Sequence, residues 1–464
     1  MIRLQEPTTL LEENLAGMLE AIRGQSGVPG IGVVVEVDGL RTAVTTGVRV
    51  AGRAEPLTGG CRFHIGCIAK LLASLVALEL ARDGSLDLNA PLEEYLTELA
   101  GTANGRTVVP VHLLSHTGGY HGTELMEQGT WMLTWSGLVE HLASAPQLFE
   151  PGTVFSYEHT GAVLLGEIVR RLTGRDIGDL AREMILEPLE IVPEALGGDQ
   201  HLEPSQVGQH EPDPQGGFSP IGWSKYHRPE QLPFPEFWRP AFSVHMLSLH
   251  ELATLGSALA GAFDRGTEPE RGISAASRSQ LQRPVVAVPP VLGGQLAERG
   301  PGAFSLGAAR YGSGWLGLGA ISPGQCVGLR FHPVYQASIA VGINAPLPSL
   351  RDLILEAAAA LIAAPDREPQ PGFELDLQEL AGSYRGSGRR DCAVRVDDER
   401  VVCAFGQVGS SNRLTAELVL DDDRRPVVRC ALPWMSFGFF RSPGGDVALM
   451  AGMVAYRRMT SSVA

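Results

Sequence analysis

The chain contains 464 residues, of which 44% are hydrophobic and 19% are charged. This is the balance of a folded globular protein rather than a disordered one, and the length is sufficient for more than one domain. The formal net charge of −15 argues against nucleic acids and anionic membrane surfaces as partners. The longest apolar stretches are interrupted by charges well short of the roughly 20 residues that a membrane span requires.

The N-terminal segment predicts an amphipathic helix rather than an export signal. Its apolar residues recur on one side, at Leu10, Leu11, Leu15, Met18, Leu19 and Ile22. It lacks a basic region followed by an apolar core and a small-residue cleavage site, so we expect a cytoplasmic protein. The six cysteines form no CxxC pair, which favours reduced thiols and predicts no zinc site.

Strand, helix and loop patterns alternate along the first three quarters of the chain. Two strand-like runs around Asp38-Gly39 predict an antiparallel hairpin, and the run 67–82 predicts a helix that ends at Asp83-Gly84. A mainly helical region follows. Residues 195–240 are rich in Pro, Gly, His and Trp, which predicts a long irregular loop. A helix in 248–263, strands in 326–333 and 337–346, and a final helix over 350–363 complete this part.

A proline-rich, charged segment divides the sequence into two predicted domains. Residues 366–373, within the stretch APDREPQPGFE, predict a linker between a domain over 1–365 and a second over 374–464. Alternating runs such as CAVRVDDERVVCAF and DVALMAGMVAYRR are typical of short antiparallel strands. The second domain is therefore expected to be a small antiparallel β-barrel.

A cysteine and a lysine at the start of the helix over 67–82 are candidates for chemistry. At a spacing of three residues, Cys67 and Lys70 share one helix face. The helix dipole and a nearby ammonium both favour a thiolate, and Lys70 is alternatively the base that receives the thiol proton. Against this stands a plain structural role, because free cysteine is often buried and lysine stems pack on apolar surfaces.

Several ordered motifs accompany this pair. HLLSHTGG lies at 112–119 and EPGTVFSYEHTGAVLLGEIVRRLTG at 150–174, with VPGIGVVVEVDG before them and YGSGW after them. Together they resemble the serine β-lactamase-like family over roughly residues 10–365, in the branch of class C β-lactamases, penicillin-binding proteins, D-aminopeptidases and carboxylesterases. The resemblance implies an α+β fold, an antiparallel sheet flanked by helices with an all-helical region. The tail over 374–464 then resembles the lipocalin-like barrel of some members.

The same resemblance implies roles for individual residues. An S-x-x-K motif opens a helix in this family, its serine is acylated, and its lysine assists with the proton. Cys67 takes the position of that serine, Lys70 that of the lysine, and Tyr157 in SYEH that of the tyrosine which shares the proton transfer. Backbone N–H groups of Cys67 and of the strand near Ala320 and Ile321 are expected to form the oxyanion hole.

The sequence departs from the family pattern at three points. The nucleophile is cysteine, and His159 replaces the asparagine of Y-x-N. The strand that ordinarily carries K-T-G or H-x-G reads Leu318-Gly319-Ala320, without a cation, which argues against a substrate carboxylate. Three roles are open for His159. It could form an ion pair with the Cys67 thiolate, it could hydrogen-bond the acyl part of the substrate, or it could fill the position of the asparagine with a purely structural role. His116 is expected to be structural, and histidines 201, 210 and 227 are expected to lie on the surface.

These features predict an enzyme that forms an acyl-cysteine intermediate. The expected activity is hydrolysis or transfer of an acyl group from an ester, amide or thioester. One alternative is a biosynthetic acyltransferase or cyclase acting on a CoA- or carrier-bound thioester. The other is a non-catalytic binding protein that kept the fold. We expect a small-molecule acyl substrate and no cofactor or metal, and the sequence does not indicate the oligomeric state.

Overall fold

The computed structural model describes residues 8–120, 134–195, 205–221, 245–263, 272–288, 302–362, 377–386, 390–397, 400–407, 414–420, 426–430, 437–443, 446–451 and 454–459. It contains helices around a large antiparallel sheet and a second, C-terminal antiparallel sheet, which confirms the predicted α+β fold class. None of the helices in these ranges is long and apolar enough to cross a membrane.

The helices are α1 (Thr8–Ser26), α2 (Ile68–Arg82), α3 (Leu92–Tyr95), α4 (Ala103–Thr107), α5 (Pro110–Leu114), α6 (Trp135–Ser144), α7 (Thr160–Thr173), α8 (Ile177–Ala181), α9 (Leu249–Leu259), α10 (Ala275–Gln282) and α11 (Pro348–Ile362). The predicted helices are confirmed, with ends that differ by a few residues at most. The largest difference that matters for chemistry is at α2, where Cys67 precedes the first helical residue instead of being part of the helix.

The strands are β1 (Gly30–Val37), β2 (Leu40–Gly47), β3 (Arg62–His64), β4 (Glu194–Ala195), β5 (Gln209–Pro212), β6 (Phe218–Ile221), β7 (His245–Ser248), β8 (Val286–Ala287), β9 (Ala303–Phe304), β10 (Ala309–Arg310), β11 (Leu316–Ser322), β12 (Gln325–His332), β13 (Ala337–Ile343), β14 (Gly382–Gly386), β15 (Arg390–Asp397), β16 (Arg400–Gln407), β17 (Leu414–Leu420), β18 (Pro426–Cys430), β19 (Phe437–Arg441), β20 (Val447–Ala451) and β21 (Val454–Arg458).

The chain forms two compact units. The first comprises Met1–Leu86, Leu172–Arg283 and Gly307–Arg367, and the second comprises Asp87–Arg171, Pro284–Leu306 and Glu368–Ala464. The predicted division into 1–365, 366–373 and 374–464 stays a prediction, and the linker 366–373 lies outside the described residues.

The first unit is built on an antiparallel sheet with strand order β2-β1-β13-β12-β11-β10. All residues of β1, β12 and β13 are buried, as is typical of strands covered on both faces. Leucines of α1 and apolar residues of α11 pack on alternate strand residues such as Val33 and Val341. Helix α9 covers the opposite face. The predicted hairpin at Asp38-Gly39 is the β1–β2 connection.

Helix α2 is the buried central helix of this unit. Thirteen of its fifteen residues are buried, and it packs against α8 and α10. It ends where predicted, since Asp83 caps it and Gly84 follows with φ +82°, a conformation that glycine adopts without steric cost. Burial over almost its whole length fixes the position of the residues at its N-terminus.

The prediction of an irregular loop over 195–240 is wrong in its middle. Strands β5 and β6 pair there as an antiparallel hairpin. His210, expected on the surface, is fully buried: its Nδ1 lies 2.6 Å from the carbonyl oxygen of Asn344, and its Nε2 accepts the N–H of Ala51 at 2.9 Å. These tertiary bonds order a segment whose composition resembles a loop. Histidines 201 and 227 lie outside the described residues.

The second unit combines the helices α3 to α7 with the C-terminal strands. Those strands form one curled antiparallel sheet, a half-barrel of order β18-β17-β16-β15-β14-β21-β20-β19, which confirms the predicted strand-rich tail. Its core is made by fully buried side chains that include Tyr384, Phe439 and Leu449. The hydroxyl of Tyr384 donates to the carbonyl oxygen of Leu380 at 2.7 Å, which ties the first strand to the preceding turn.

Candidate active site

Cys67 lies at the N-terminal end of α2. It occupies the N-cap position with φ −62° and ψ −15°, its thiol is half-buried, and its carbonyl oxygen accepts the N–H of Lys70 at 3.0 Å. Gly66 immediately before it has φ +42°, so the chain enters the helix through a left-handed residue. Cys67 therefore lies at the end of α2 where the helix dipole carries a partial positive charge.

Lys70 follows one turn later on the same helix. Its residue is only 4% exposed, although lysine is rarely buried unless its ammonium has polar partners. The next turn is tightly packed: Ser74 Oγ donates to the Lys70 carbonyl oxygen at 2.8 Å, and a Cβ added to Gly307 would lie 2.4 Å from Ser74 Oγ. Lys70 is therefore a buried charged residue in the first turn of a tightly packed helix.

Strand β11 lies against the N-terminal end of α2. A Cβ added to Gly66 would lie 3.1 Å from Ala320 Cβ and 3.6 Å from the Ile321 carbonyl oxygen. The residues Leu318 and Ala320 are buried, whereas Ile321 is 52% exposed. The cation-free segment Leu318-Gly319-Ala320 lies in this strand, whose residues Ala320 and Ile321 are close to Gly66.

The end of β11 is tied to the segment before Cys67 by polar contacts. His64 Nδ1 lies 2.5 Å from Ser322 Oγ, and the backbone N–H of His64 donates to Gln325 Oε1 at 3.1 Å. The side-chain amide of Gln325 in turn donates to the Val207 carbonyl oxygen at 3.1 Å. Sequence analysis missed these contacts, because they join residues more than 100 positions apart.

In the second unit, Tyr157 and His159 lie on the segment that leads into α7. The ring of Tyr157 packs on that of His116, with centroids 4.4 Å apart, and lies 5.8 Å from the ring of His159. His116, which has φ +54° and is buried, also accepts the N–H of Ser156 on its carbonyl oxygen at 2.8 Å. These contacts agree with the structural role expected of His116.

Glu158, between the two candidate residues, was missed by the sequence analysis. It is buried, and its Oε1 accepts the Tyr120 hydroxyl at 3.1 Å and the Gly161 N–H at 2.7 Å. Burial, with the adjacent Glu158 carboxylate, raises the pKa of Tyr120 well above its usual value. Glu158 therefore accepts a backbone N–H of the first turn of α7.

The C-terminal sheet contacts the Tyr157 segment directly. The backbone N–H of Ala455, in β21, donates to Ser156 Oγ at 3.1 Å, and both groups are buried. Residues of the tail and of the SYEH motif therefore belong to one packed region of the second unit. The contacting residues are about 300 positions apart in the sequence, so no local sequence pattern indicates this contact.

The structure thus presents the predicted residues as two sets. Cys67, Lys70 and Ile321 belong to the first unit, and Tyr157 and His159 belong to the second. Their catalytic roles stay predictions. Within the described ranges no group of three His, Cys, Asp or Glu residues is arranged to hold a metal ion.

Comparisons with known proteins agree with this architecture. Penicillin-binding protein 4 of Amycolatopsis lactamdurans is 26% identical over 396 residues, which are 80% of this chain and 96% of that protein. Esterase EstB of Burkholderia gladioli is 29% identical over 165 residues, 30% of this chain and 39% of that protein. Among solved structures, SurE has a TM-score of 0.71 at 22% identity, covering 97% of this chain and 99% of SurE, and it has also been solved with D-Leu.

The family model for β-lactamases matches residues 15–356, which is well over half of the chain. Relatives with such names, β-lactamases and esterases, are hydrolases. The fold, the ordered motifs and this match lead to one conclusion: the chain belongs to the β-lactamase family.

Proposed function

We propose that the protein is an acyl-enzyme-forming hydrolase or acyltransferase in which Cys67 is the nucleophile. The observation that carries the proposal is the half-buried thiol at the N-terminus of α2, with the buried Lys70 one turn further on. A thiolate attacks acyl groups well near neutral pH, and a helix N-terminus stabilises its charge. Membership of a family with hydrolase relatives supports acyl chemistry.

The proposed reaction has two steps. In the first, the Cys67 thiol gives its one proton to the Lys70–Tyr157 pair while its sulfur bonds to the acyl carbon. The pair then returns that proton to the leaving group as the bond between the acyl carbon and the leaving group breaks. The backbone N–H groups of Cys67 and Ile321 stabilise the oxyanion. In the second, water or another acceptor attacks the acyl-cysteine and gives a proton to the same pair, which returns it to the Cys67 sulfur as the thioester bond breaks. His159 has an auxiliary role, either toward the Cys67 thiolate or toward the acyl group.

A thioester substrate bound to CoA or to a carrier is the second candidate within this chemistry. Two features of the sequence support it: the proposed nucleophile is a cysteine, and the strand segment Leu318-Gly319-Ala320 carries no cation. Exchange between a carrier thioester and Cys67 is close to thermoneutral, so the acyl group stays activated for transfer or cyclisation. Without a cation at these positions, the strand offers no charge for a free substrate carboxylate. Because the similar protein SurE has been solved with D-Leu, we choose a leucyl group as the acyl probe.

Intact-mass measurements test the proposal. The chain is incubated with the N-acetylcysteamine thioester of acetyl-D-leucine, its L epimer, and the corresponding p-nitrophenyl esters. We expect one acyl adduct on the wild-type chain and on Cys61→Ala, a matched control at another cysteine of the same unit. We expect none on Cys67→Ala.

The outcomes separate the alternatives. Failure of every ester and thioester to add an acyl group contradicts the enzymatic proposal and leaves a binding protein that kept the fold. An adduct from thioesters alone supports the carrier-bound substrate, and an adduct that persists on Cys67→Ala shows that another residue is acylated. If Lys70 and Tyr157 move the proton, Lys70→Ala and Tyr157→Phe slow acylation by about 10²-fold or more, the range of general acid–base catalysis.

A further inference from the structure

A slot on the α11 side of the sheet, at the two facing glycines Gly319 and Gly328, holds Arg351 of α11. Gly319 in β11 and Gly328 in β12 are direct partners in the strand register. A Cβ on Gly319 would lie 2.4 Å from Arg351 Cζ, and one on Gly328 would lie 2.9 Å from Arg351 Cδ. The two facing glycines are therefore what allows the Arg351 side chain to lie flat on the strands, where it is 7% exposed.

The guanidinium of Arg351 binds the backbone of both strands. Its Nη1 donates to the carbonyl oxygens of Ala320 at 3.1 Å and Val327 at 3.3 Å. Its Nε and Nη2 donate to the two carboxylate oxygens of Asp352, each at 2.9 Å. Arg351 thus stays charged in a dry environment, with one nitrogen committed to the β11–β12 pair.

A second arginine contributes to the charge at this place. Arg330 Nη2 lies 3.8 Å from Asp352 Oδ1, and its guanidinium carbon lies 3.4 Å from the ring centre of Tyr311. Two buried arginines face one carboxylate, so the charges of the three side chains leave a net positive charge. In a low-dielectric interior that charge acts strongly on the dipoles nearest to it.

The carbonyl group nearest to Arg351 Nη1 is that of Ala320, in the peptide whose N–H is the candidate oxyanion donor Ile321. The Ala320 C=O and the Ile321 N–H belong to one planar trans peptide and point in opposite directions. Arg351 binds the C=O, so the N–H is directed to the other edge of β11. Gly66 lies near that edge, because a Cβ added to Gly66 would lie 3.6 Å from the Ile321 carbonyl oxygen. In a strand the C=O and the N–H of one residue point to the same edge.

We propose that Arg351 is a positioning residue that holds and polarises the Ala320–Ile321 peptide, and so strengthens the Ile321 N–H as an oxyanion donor. A charge-assisted hydrogen bond at the C=O increases the positive partial charge on the N–H, because hydrogen bonds in a chain polarise one another. The cation acts from behind the strand and never touches the substrate. This proposal rests on the proposed acyl-cysteine chemistry and deepens it.

The test combines acylation kinetics with a vibrational readout. Wild type, Arg351→Met, Arg351→Lys and Arg330→Met are acylated with the acetyl-D-leucyl N-acetylcysteamine thioester carrying a ¹³C carbonyl, and the acyl carbonyl stretch is measured by isotope-edited infrared difference spectroscopy. Arg330→Met is the matched control: this arginine is equally buried and shares Asp352, but its Nη1 donates to the Leu329 carbonyl oxygen rather than to Ala320.

For Arg351→Met we expect an acylation rate constant about tenfold lower, at unchanged thioester affinity, and a carbonyl stretch at higher frequency. Complete loss of one oxyanion donor costs about 10²–10³-fold, and a weakened donor costs less. Arg351→Lys keeps the charge and restores the frequency in part. Arg330→Met lowers the local charge but keeps the hydrogen bond from Arg351 to Ala320, so we expect a clearly smaller shift than in Arg351→Met. If Arg351→Met does not fold, Gly319→Ala, whose Cβ displaces the guanidinium, replaces it with the same expected shift.

The results separate this proposal from the proposed function. A wild-type chain that is acylated at Cys67, with the same carbonyl frequency in Arg351→Met or Gly319→Ala, overturns the role of Arg351 and leaves acyl-cysteine chemistry standing. An equal shift in Arg330→Met also overturns it, because the effect then comes from packing. A wild-type chain that no thioester acylates overturns the proposed function and this proposal with it.

Discussion

Replacing Gly66 by alanine tests whether the contact between α2 and β11 positions the nucleophile. Gly66 has φ +42°, and its added Cβ would meet Ala320 Cβ at 3.1 Å and Ser322 Oγ at 3.2 Å. The methyl group would enter the contact between the start of the helix and the candidate oxyanion strand. Cys67 is the next residue, so any movement that relieves the contact changes its position relative to β11.

Two physical terms set the size of the effect. A non-glycine residue in the left-handed region costs about 1–2 kcal/mol. Overpacking by one methyl group against neighbours that must each move by a few tenths of an ångström costs about 1–3 kcal/mol. We therefore expect Gly66→Ala to lower the free energy of unfolding by about 3 kcal/mol. We also expect acylation to slow by about 10²-fold, the loss that a misplacement on the scale of an ångström produces.

Gly84→Ala is the matched control, because it lies at the other end of the same helix. Gly84 has φ +82°, and an added Cβ there meets no atom within 4 Å. This variant is expected to lose about 1 kcal/mol of stability from backbone strain, with an unchanged acylation rate. The double variant Gly66→Ala with Ala320→Gly removes the 3.1 Å contact and should recover part of the rate.

Urea unfolding and the rate of thioester acylation by mass spectrometry are the two assays. Both are measured on wild type, Gly66→Ala, Gly84→Ala and the double variant. If Gly66→Ala loses stability but acylates as fast as Gly84→Ala, the α2–β11 contact does not position Cys67. The reasoning then fails at that step, whatever the chemistry of the thiol.

Two further predictions concern stability alone. Asn344 is fully buried, accepts the Gly30 N–H at 2.7 Å and donates to two carbonyl oxygens at 2.9 and 3.2 Å. Asn344→Ala should therefore lower the free energy of unfolding by about 3 kcal/mol in urea titrations. A loss below about 1 kcal/mol contradicts this prediction. The Arg171 guanidinium lowers the pKa of Glu98 to about 2. The pair is partly exposed, so Glu98→Gln should cost only about 1 kcal/mol at pH 7. That difference is complete above the unfolded pKa of 4.5 and should vanish as the pH falls through about 2; a difference that persists there contradicts the assignment.

Local patterns were sufficient for the elements that bury one continuous apolar run. Helix α2 was predicted to within one residue because its apolar stretch ends at Asp83-Gly84. The strand expected at Leu318-Gly319-Ala320 lies within β11. The boundary error at Cys67 is small but informative. A residue at the N-cap is outside the regular hydrogen-bond ladder, and only the backbone geometry reveals it.

The features that were missed depend on contacts between distant segments. The β5–β6 hairpin has loop-like composition, and it is ordered by bonds from His210 to Ala51 and Asn344. The slot for Arg351 requires Gly319 and Gly328 to face each other, which depends on strand register. Neither the turn-forming composition nor the isolated glycines carry that information in sequence.

The position of positive charge connects two of the three departures from the family pattern, the cysteine nucleophile and the strand without a cation. At residue 318 a leucine, 3% exposed, stands where the resemblance implies a cation that holds a substrate carboxylate. The charge of Arg351 instead lies on the α11 side of the sheet, where its guanidinium packs on Gly319 and donates to the Ala320 carbonyl oxygen. A cation in the site selects anionic ligands, whereas the same charge behind a peptide acts only through that peptide's dipole. On our proposal, the charge of Arg351 strengthens the Ile321 N–H as an oxyanion donor but does not stabilise a carboxylate in the site. A sulfur nucleophile fits such a site, because a neutral thioester needs an oxyanion donor and a good leaving group, but no cation for a carboxylate.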